Sequence, residues 1–220
     1  MQEINFLERY QKQTARNYLA RVIEHDKAES AATAKRWGAD YWDGDRRYGY
    51  GGYRYDGRWR PVAVEIARHY RLAAGQRVLD VGCGKGFLLF ELTQVVPGLH
   101  VAGIDISAYA LAHAKPEVRR TLVRGDCAAL PWADRSFDLV ISLNTLHNLT
   151  PPRLKAALQD VQRVSRGASW ICVESFRSER EKANLLYWQL TCESFFRPDG
   201  WKFLFDEWGY RGDYGFIYFE

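Results

Sequence analysis

From residue 76 onward, short apolar runs alternate with longer amphipathic stretches. Val78, Leu79 and Val81 form a run that ends in glycines, and runs of strand length follow over 99–106, 122–127, 137–144, 168–174 and 214–219. Helical patterns lie between them. One covers 62–70, one begins at Phe87, one runs from Pro151 to about Ser165, one covers 179–196 with an aromatic face, and one starts at Pro198. Prolines 151, 152 and 198 sit where a first helical turn tolerates them. Strands alternating with helices predict an α/β fold, doubly wound around a mostly parallel sheet. Upstream, Ile4, Leu7, Tyr18, Leu19, Val22 and Ile23 recur at mostly helical spacing, which predicts a helical segment over 3–37. The division expected is an N-terminal helical segment and lid over 1–61, followed by a Rossmann-like core over 62–220.

The junction after the first strand carries the chemistry. Asp80 precedes Gly82, Cys83, Gly84, Lys85 and Gly86, and glycines at alternate positions let a backbone turn sharply and approach a ligand with no Cβ in the way. Phe87 breaks the G-x-G-x-x-G/A spacing of a dinucleotide site, and no G-K-[ST] follows as in a P-loop, so pyrophosphate is a poor ligand. Asp105 ends the second strand roughly 20 residues on, where such folds set an acid against ribose hydroxyls. A plain structural turn, a helix cap at Asp105 and an ordinary turn at Asp126 are the alternatives for these residues taken singly.

With Asp80 ahead of the glycines, the pattern resembles motif I of the class I S-adenosylmethionine-dependent methyltransferases, with a core like the type 11 methyltransferases. Leu130-Pro131-Trp132 and Ser136-Phe137-Asp138 match that family's LPF-x-D-x-SFD-x-V run. The resemblance spans about residues 75 to 150 and implies S-adenosylmethionine as cofactor. It implies a cofactor loop of Asp80, Gly82, Cys83, Gly84 and Gly86, a ribose-binding Asp105 with Ile106 beside it, an adenine edge at Asp126 and Cys127, and Asn144 at the end of strand four. Most members end in a longer hairpin than Gly209 to Asp213 allows, so strand six is expected to be very short or displaced.

Methyl transfer needs positioning and a dry pocket more than acid–base chemistry, and a base matters mainly for a hydroxyl acceptor. His147, Asn144 and Glu174 are the candidate catalytic residues. His147 can be a general base or a packed side chain, and Glu174 can bind or deprotonate the acceptor or serve the structure. The Asn/Asp-Pro-Pro-Tyr/Phe and Pro-Cys motifs of methyltransferases acting on nucleobases are absent. Tyr187 and Trp188 are candidate acceptor-pocket residues.

Residues 41–59 are dense in Tyr, Trp, Gly and Arg, and Asp40, Asp43, Asp45 and Asp56 cancel most of the positive charge. That composition predicts a lid rather than an RNA-binding segment, with Tyr48, Tyr50, Tyr53, Arg58 and Trp59 as its working residues. The lid is expected to be mobile without cofactor.

A chain of 220 residues, 47% hydrophobic, can bury a full core, and its net charge of +4 is too small to argue for nucleic acid. Four cysteines without C-x-x-C spacing predict neither zinc nor a disulfide framework. With no signal peptide or membrane span in the pattern, a cytoplasmic protein is expected. The function expected is methyl transfer to a small polar metabolite such as a sugar or carboxylate, O-methylation included. The rivals are a homologue that binds the sulfonium for other chemistry or without turnover, and an RNA or protein methyltransferase.

Overall fold

A computed structural model of the chain describes residues 1–7 and 16–220. In chain order its elements are α1 (Ala20–Ile23), α2 (Lys27–Ala34), α3 (Ala39–Trp42), α4 (Arg60–His69), β1 (Arg77–Val81), α5 (Phe87–Val95), β2 (His100–Asp105), α6 (Ala108–Ala112), α7 (Pro116–Arg119) and β3 (Leu122–Arg124). Then come β4 (Phe137–Leu143), α8 (Pro151–Val164), β5 (Ser165–Glu174), α9 (Glu179–Trp188), α10 (Pro198–Glu207) and β6 (Asp213–Ile217), with 3-10 turns at Arg46–Tyr48 and Leu146–Asn148.

The six strands lie in the order β3-β2-β1-β4-β5-β6, and every neighbouring pair is parallel. The order reverses between β1 and β4, and in such sheets the crevice beyond the strand ends at that point is where ligands bind. Side chains alternate across the sheet. Val78, Leu139, Ile141, Trp170 and Cys172 pack toward α4 and α5, while Leu79, Val81, Val140, Ile171 and Val173 pack toward α8 and α10. A parallel strand buried on both faces reads as a continuous apolar run, which is why these strands stood out in the pattern.

Three expectations are corrected. The last edge is not a shortened hairpin: the chain crosses over through α9 and α10, and β6 runs parallel beside β5, with Trp170 opposite Asp213 and Glu174 opposite Ile217. A parallel partner needs a crossover of a dozen residues or more, which this stretch supplies. The helix predicted over 179–196 stops at Trp188. Beyond it the amides of Glu193 and Ser194 both donate to the His147 carbonyl, and the Ser194 hydroxyl donates to that of Leu149. These bonds pin the stretch to the 3-10 turn instead of continuing a helix.

The N-terminal segment is not helical throughout. Glu3 bridges Tyr214 in parallel, the Ile4 amide donates to the Tyr214 carbonyl, and the Tyr214 amide donates to Gln2. Residues 2–4 therefore pair beside β6, and Phe6 and Leu7 follow in a turn with both side chains buried. The part of the expected helix over 8–15 lies outside the described residues. Among the described residues no helix is long and apolar enough to cross a membrane.

Phe6 anchors this N-terminal segment: it is buried and packs edge-on against Trp170 at 5.0 Å between ring centroids. Phe6→Ala leaves a cavity between the N-terminal segment and the sheet, and should lower stability by about 3 kcal/mol in urea unfolding.

Candidate functional site

Gly82 and Gly84 shape the cleft floor. Gly82 follows β1 at φ +86°, and a Cβ there would stand 2.0 Å from the Thr145 hydroxyl, while a Cβ on Gly84 would meet the Trp42 ring at 2.8 Å. The close approach at this loop is thus made by the protein's own side chains. Asp105 ties the loop down, since one carboxylate oxygen accepts from the Gly84 amide and the other from the Ser107 amide, both at 2.8 Å. Gly86 opens α5 and lines none of the cavities described below.

The aromatic segment is seated directly on this loop. Trp42 is buried, stacks on Tyr50 at 5.3 Å and donates from its indole to Ser107, while Tyr53 stacks on Phe87 at 5.0 Å. Lys85 reaches out of the loop to both Asp43 oxygens, at 2.7 and 2.8 Å, and to the Tyr53 carbonyl at 2.8 Å. Burial pushes the Asp43 carboxyl up, but the bonds from Lys85 and Tyr109 outweigh it and hold the group below its ordinary value.

Three cavities line the crevice, and Tyr50 and Asn144 belong to the walls of all three. The first, of about 340 Å³, brings Asp105, Ile106, Asp126 and Cys127 together beneath Trp37 and Tyr41. The second, of about 250 Å³, holds Asp80, Gly82, Cys83 and Gly84 on its floor, with Tyr53, Arg58 and Trp59 opposite. A third, of about 190 Å³, is walled by Glu174, Gln189 and Trp188 and by Arg16, Arg21 and Arg46.

Each of the first two holds a buried carboxyl with a raised pKa. Burial, and then Asp105, push the Asp80 carboxyl up to about 7, and burial raises Asp105 despite its two amide donors. One Asp80 oxygen and the Asn144 side-chain carbonyl are buried with no hydrogen-bond partner. Asn144 holds the left-handed backbone at φ +56°, and the Tyr50 hydroxyl lies against its side chain. Asp126 accepts from the Ala128 amide and pairs with Arg153 at 2.5 Å, so its carboxylate already has protein partners.

Other predicted residues stand apart from the cleft. His147 is 1% exposed and lines none of the cavities; its Nδ1 accepts from the Glu174 amide at 3.3 Å, and burial pushes its pKa down to about 3. A base in contact with the acceptor is therefore not available at His147. Tyr187 points outward, 40% exposed, while its neighbour Trp188 walls the third cavity. Tyr48 is half-buried beneath the Arg47 guanidinium and lines no cavity.

His147, Glu174 and Cys192 hold their ligand-type atoms within 4.8 Å of one another. Burial favours the neutral form of each, raising Glu174 and the Cys192 thiol and lowering the imidazole, so a metal there would first have to strip protons. Arg16, Arg21, Arg46 and Gln189 were missed by the sequence reading, because no local pattern sets residues near 20 beside residue 188.

Residues 78–167 match the family described as "Methyltransferase domain". A demethylmenaquinone methyltransferase of Roseiflexus sp. is 33% identical over 137 residues, covering 60% of this chain and 56% of that protein. An uncharacterized methyltransferase of Synechocystis sp. is 36% identical over 119 residues, 53% of each chain. Among solved structures, a chain from the Haloferax volcanii complex containing the Trm112 methyltransferase activator aligns with TM-score 0.56 at 18% identity, over 84% of this chain and 76% of that one. The YcgJ protein of Bacillus aligns at TM-score 0.54 and 17% identity, over 66% and 67%, and both likenesses are of fold. This chain resembles the class I S-adenosylmethionine-dependent methyltransferases, by a methyltransferase-domain match over 78–167 and by its fold. It spans a little over half the length of the curated relatives it matches.

The site suits that cofactor. S-adenosylmethionine carries a sulfonium and an ammonium, and Asp80 and Asn144, each with a buried oxygen that lacks a hydrogen-bond partner, both line the second cavity. Asp105 keeps lone pairs to spare for hydroxyl donors. Asp105→Ala should weaken S-adenosylhomocysteine binding in calorimetry at least ~10-fold, and Asp105→Asn should weaken it less. An unchanged dissociation constant in folded Asp105→Ala would remove Asp105 from the cofactor site.

Proposed function

We propose that this chain transfers the methyl group of S-adenosylmethionine to a small polar acceptor held in the third cavity. The observation that carries the reading is the meeting of three cavities at Tyr50 and Asn144. In this arrangement the adenosine occupies the first cavity, with Asp105 on the ribose, Ile106 and Cys127 against the base and Asp126 at its amino edge. The methionine end occupies the second, between the Asp80–Gly84 floor and Tyr53, Arg58 and Trp59. When bound, the cofactor supplies an activated methyl group, and its sulfur keeps the electron pair of the broken bond. The chain aligns the two partners and excludes water around the junction.

Glu174 is the proton acceptor of this reading. Its carboxyl is 2% exposed and lines the third cavity; Gln189 donates to one oxygen, and the other is buried without a hydrogen bond, 3.4 Å from the His147 ring. Burial pushes its pKa up to about 8, against the smaller downward effects of Gln189 and Arg16. His147 then positions Glu174 without touching the acceptor. A carboxylic acid acts as base only when ionised, so turnover should climb with pH as Glu174 loses its proton and level off above about 8. Glu174→Gln should abolish this rise and cut turnover by ~100-fold or more. A full rate with the same pH profile in that variant would assign the base elsewhere.

Residues 1–61 act as cover and lid for a core spanning 62–220. The Lys85–Asp43 pair and the Trp42–Gly84 contact support closure of the segment over the bound cofactor. Hydrogen exchange between residues 41 and 59 should slow when S-adenosylhomocysteine binds. Protection confined to 82–86 would make the segment a passive clamp.

A second reading is C-methylation of a quinol, drawn from relatives named for demethylmenaquinone and for ubiquinone/menaquinone biosynthesis. The polar lining of the third cavity favours the polar acceptor instead, and the chain's small net charge of +4 argues against a nucleic acid acceptor. Release of S-adenosylhomocysteine, followed with demethylmenaquinol and with polar metabolites as alternative acceptors, separates these readings.

A further inference from the structure

The third cavity concentrates positive charge that no salt bridge among the described residues neutralises. The guanidinium carbons of Arg21, Arg46 and Arg16 lie 4.5, 5.3 and 5.5 Å from the centre of the Trp188 ring. Three cations around one indole repel one another at a separation comparable to or shorter than a physiological Debye length. Burial and the neighbouring Arg46 lower the Arg21 pKa to about 10, and burial and Arg21 lower that of Lys27.

The expected counter-charge is missing among the described residues, where none of the three arginines makes a salt bridge. Their hydrogen bonds go to neutral carbonyls. Arg21 donates from Nε to Trp188 at 2.7 Å and from Nη1 to Arg46 at 3.0 Å, and Arg46 donates from Nη1 to Tyr50 at 2.5 Å. Such bonds fix the guanidinium planes without cancelling their charge. Arg16 Nε is buried with no hydrogen-bond partner among the described residues. Glu174 is the one acid on the described lining, and its raised pKa leaves it largely protonated near neutral pH.

Holding like charges together in a half-closed cavity costs stability, and the cost persists in a folded protein where a ligand of opposite charge offsets it. Guanidiniums with fixed planes suit an oxyanion with two acceptor oxygens, which they bind bidentately. A free arginine face stacked on an aromatic ring adds a desolvated wall to the same site. Arg21 and Arg46 line the third cavity and not the cofactor cavities, which sets them apart from Arg16 and Arg58 on the methionine side.

Resting on the methyl-transfer reading above, we propose that the third cavity is an oxyanion subsite, and that the acceptor carries a carboxylate or phosphate group gripped by Arg21 and Arg46 against Trp188. The anionic group anchors the acceptor at the cavity wall and leaves its nucleophilic atom directed toward Tyr50 and Asn144. The positive wall also rejects cationic amines, so the acceptor class is an anionic metabolite rather than a free amine.

The test uses the full chain saturated with S-adenosylhomocysteine at low ionic strength, with inorganic phosphate and succinate as separate probes. Titration calorimetry should show saturable binding of at least one of them, and a rise in melting temperature should follow the same concentration dependence. Binding of phosphate alone points to a phosphorylated acceptor, and binding of succinate alone to a carboxylate. The Arg21→Gln/Arg46→Gln variant should lose at least ~10-fold in anion affinity while keeping its affinity for S-adenosylhomocysteine. Arg21→Lys, which keeps the charge but loses the fork, should fall between and covers the case in which the double variant does not fold. Equal anion binding in the double variant, or no response to either anion in the cofactor complex, overturns the subsite. Failure of S-adenosylhomocysteine itself to bind would instead strike the methyl-transfer reading.

Discussion

The carboxylate of Asp105 is the joint on which the cleft hangs. It accepts the Gly84 amide with one oxygen and the Ser107 amide with the other, so a single side chain at the end of β2 fixes both the glycine loop and the start of α6. Ser107 extends the chain of bonds, receiving the Trp42 indole and donating to the Trp37 carbonyl. The floor, the first helix beyond it and the aromatic cover are thus coupled through one buried acid. Its burial raises its pKa, and the amide bonds offset only part of that cost.

Charge of both signs lines the crevice. Asp80 and Asp105 lie on the cofactor side, where Arg16 and Arg58 also line the second cavity, and Arg16, Arg21 and Arg46 gather around Trp188, with Tyr50 and Asn144 common to all three cavities. The buried trio of His147, Glu174 and Cys192 reaches the third cavity through Glu174. There burial lowers the His147 imidazole and raises the Glu174 acid, so both favour their neutral forms.

The covering segment stays in place by packing as much as by charge. Trp42 occupies space that only a glycine at 84 leaves open, and Lys85, 5% exposed at its side chain, turns away from the core to meet Asp43. A buried lysine needs its partners, so the loop and the cover depend on one another. At the opposite edge, the strand through Glu3 and Ile4 lies beside β6 and covers part of its exposed edge, which would otherwise offer unpaired backbone groups.

The parallel core was legible in the sequence because strands buried on both faces must be apolar without interruption and must be separated by crossover helices, and β1, β2, β4 and β5 obey that rule. The glycine loop and Asp105 were legible for the same local reason: the turn and the acid lie within one βαβ unit. The direction of β6, the end of α9 at Trp188 and the strand-like Ile4 were not, since each is decided by partners more than 10 residues distant along the chain. The sequence left His147 open between a base and a packed side chain; it is buried, with the stretch after α9 folded back onto its carbonyl. Only tertiary structure could gather Arg16, Arg21 and Arg46 around Trp188, as the spacing of residues along a chain carries no record of which distant side chains share a cavity.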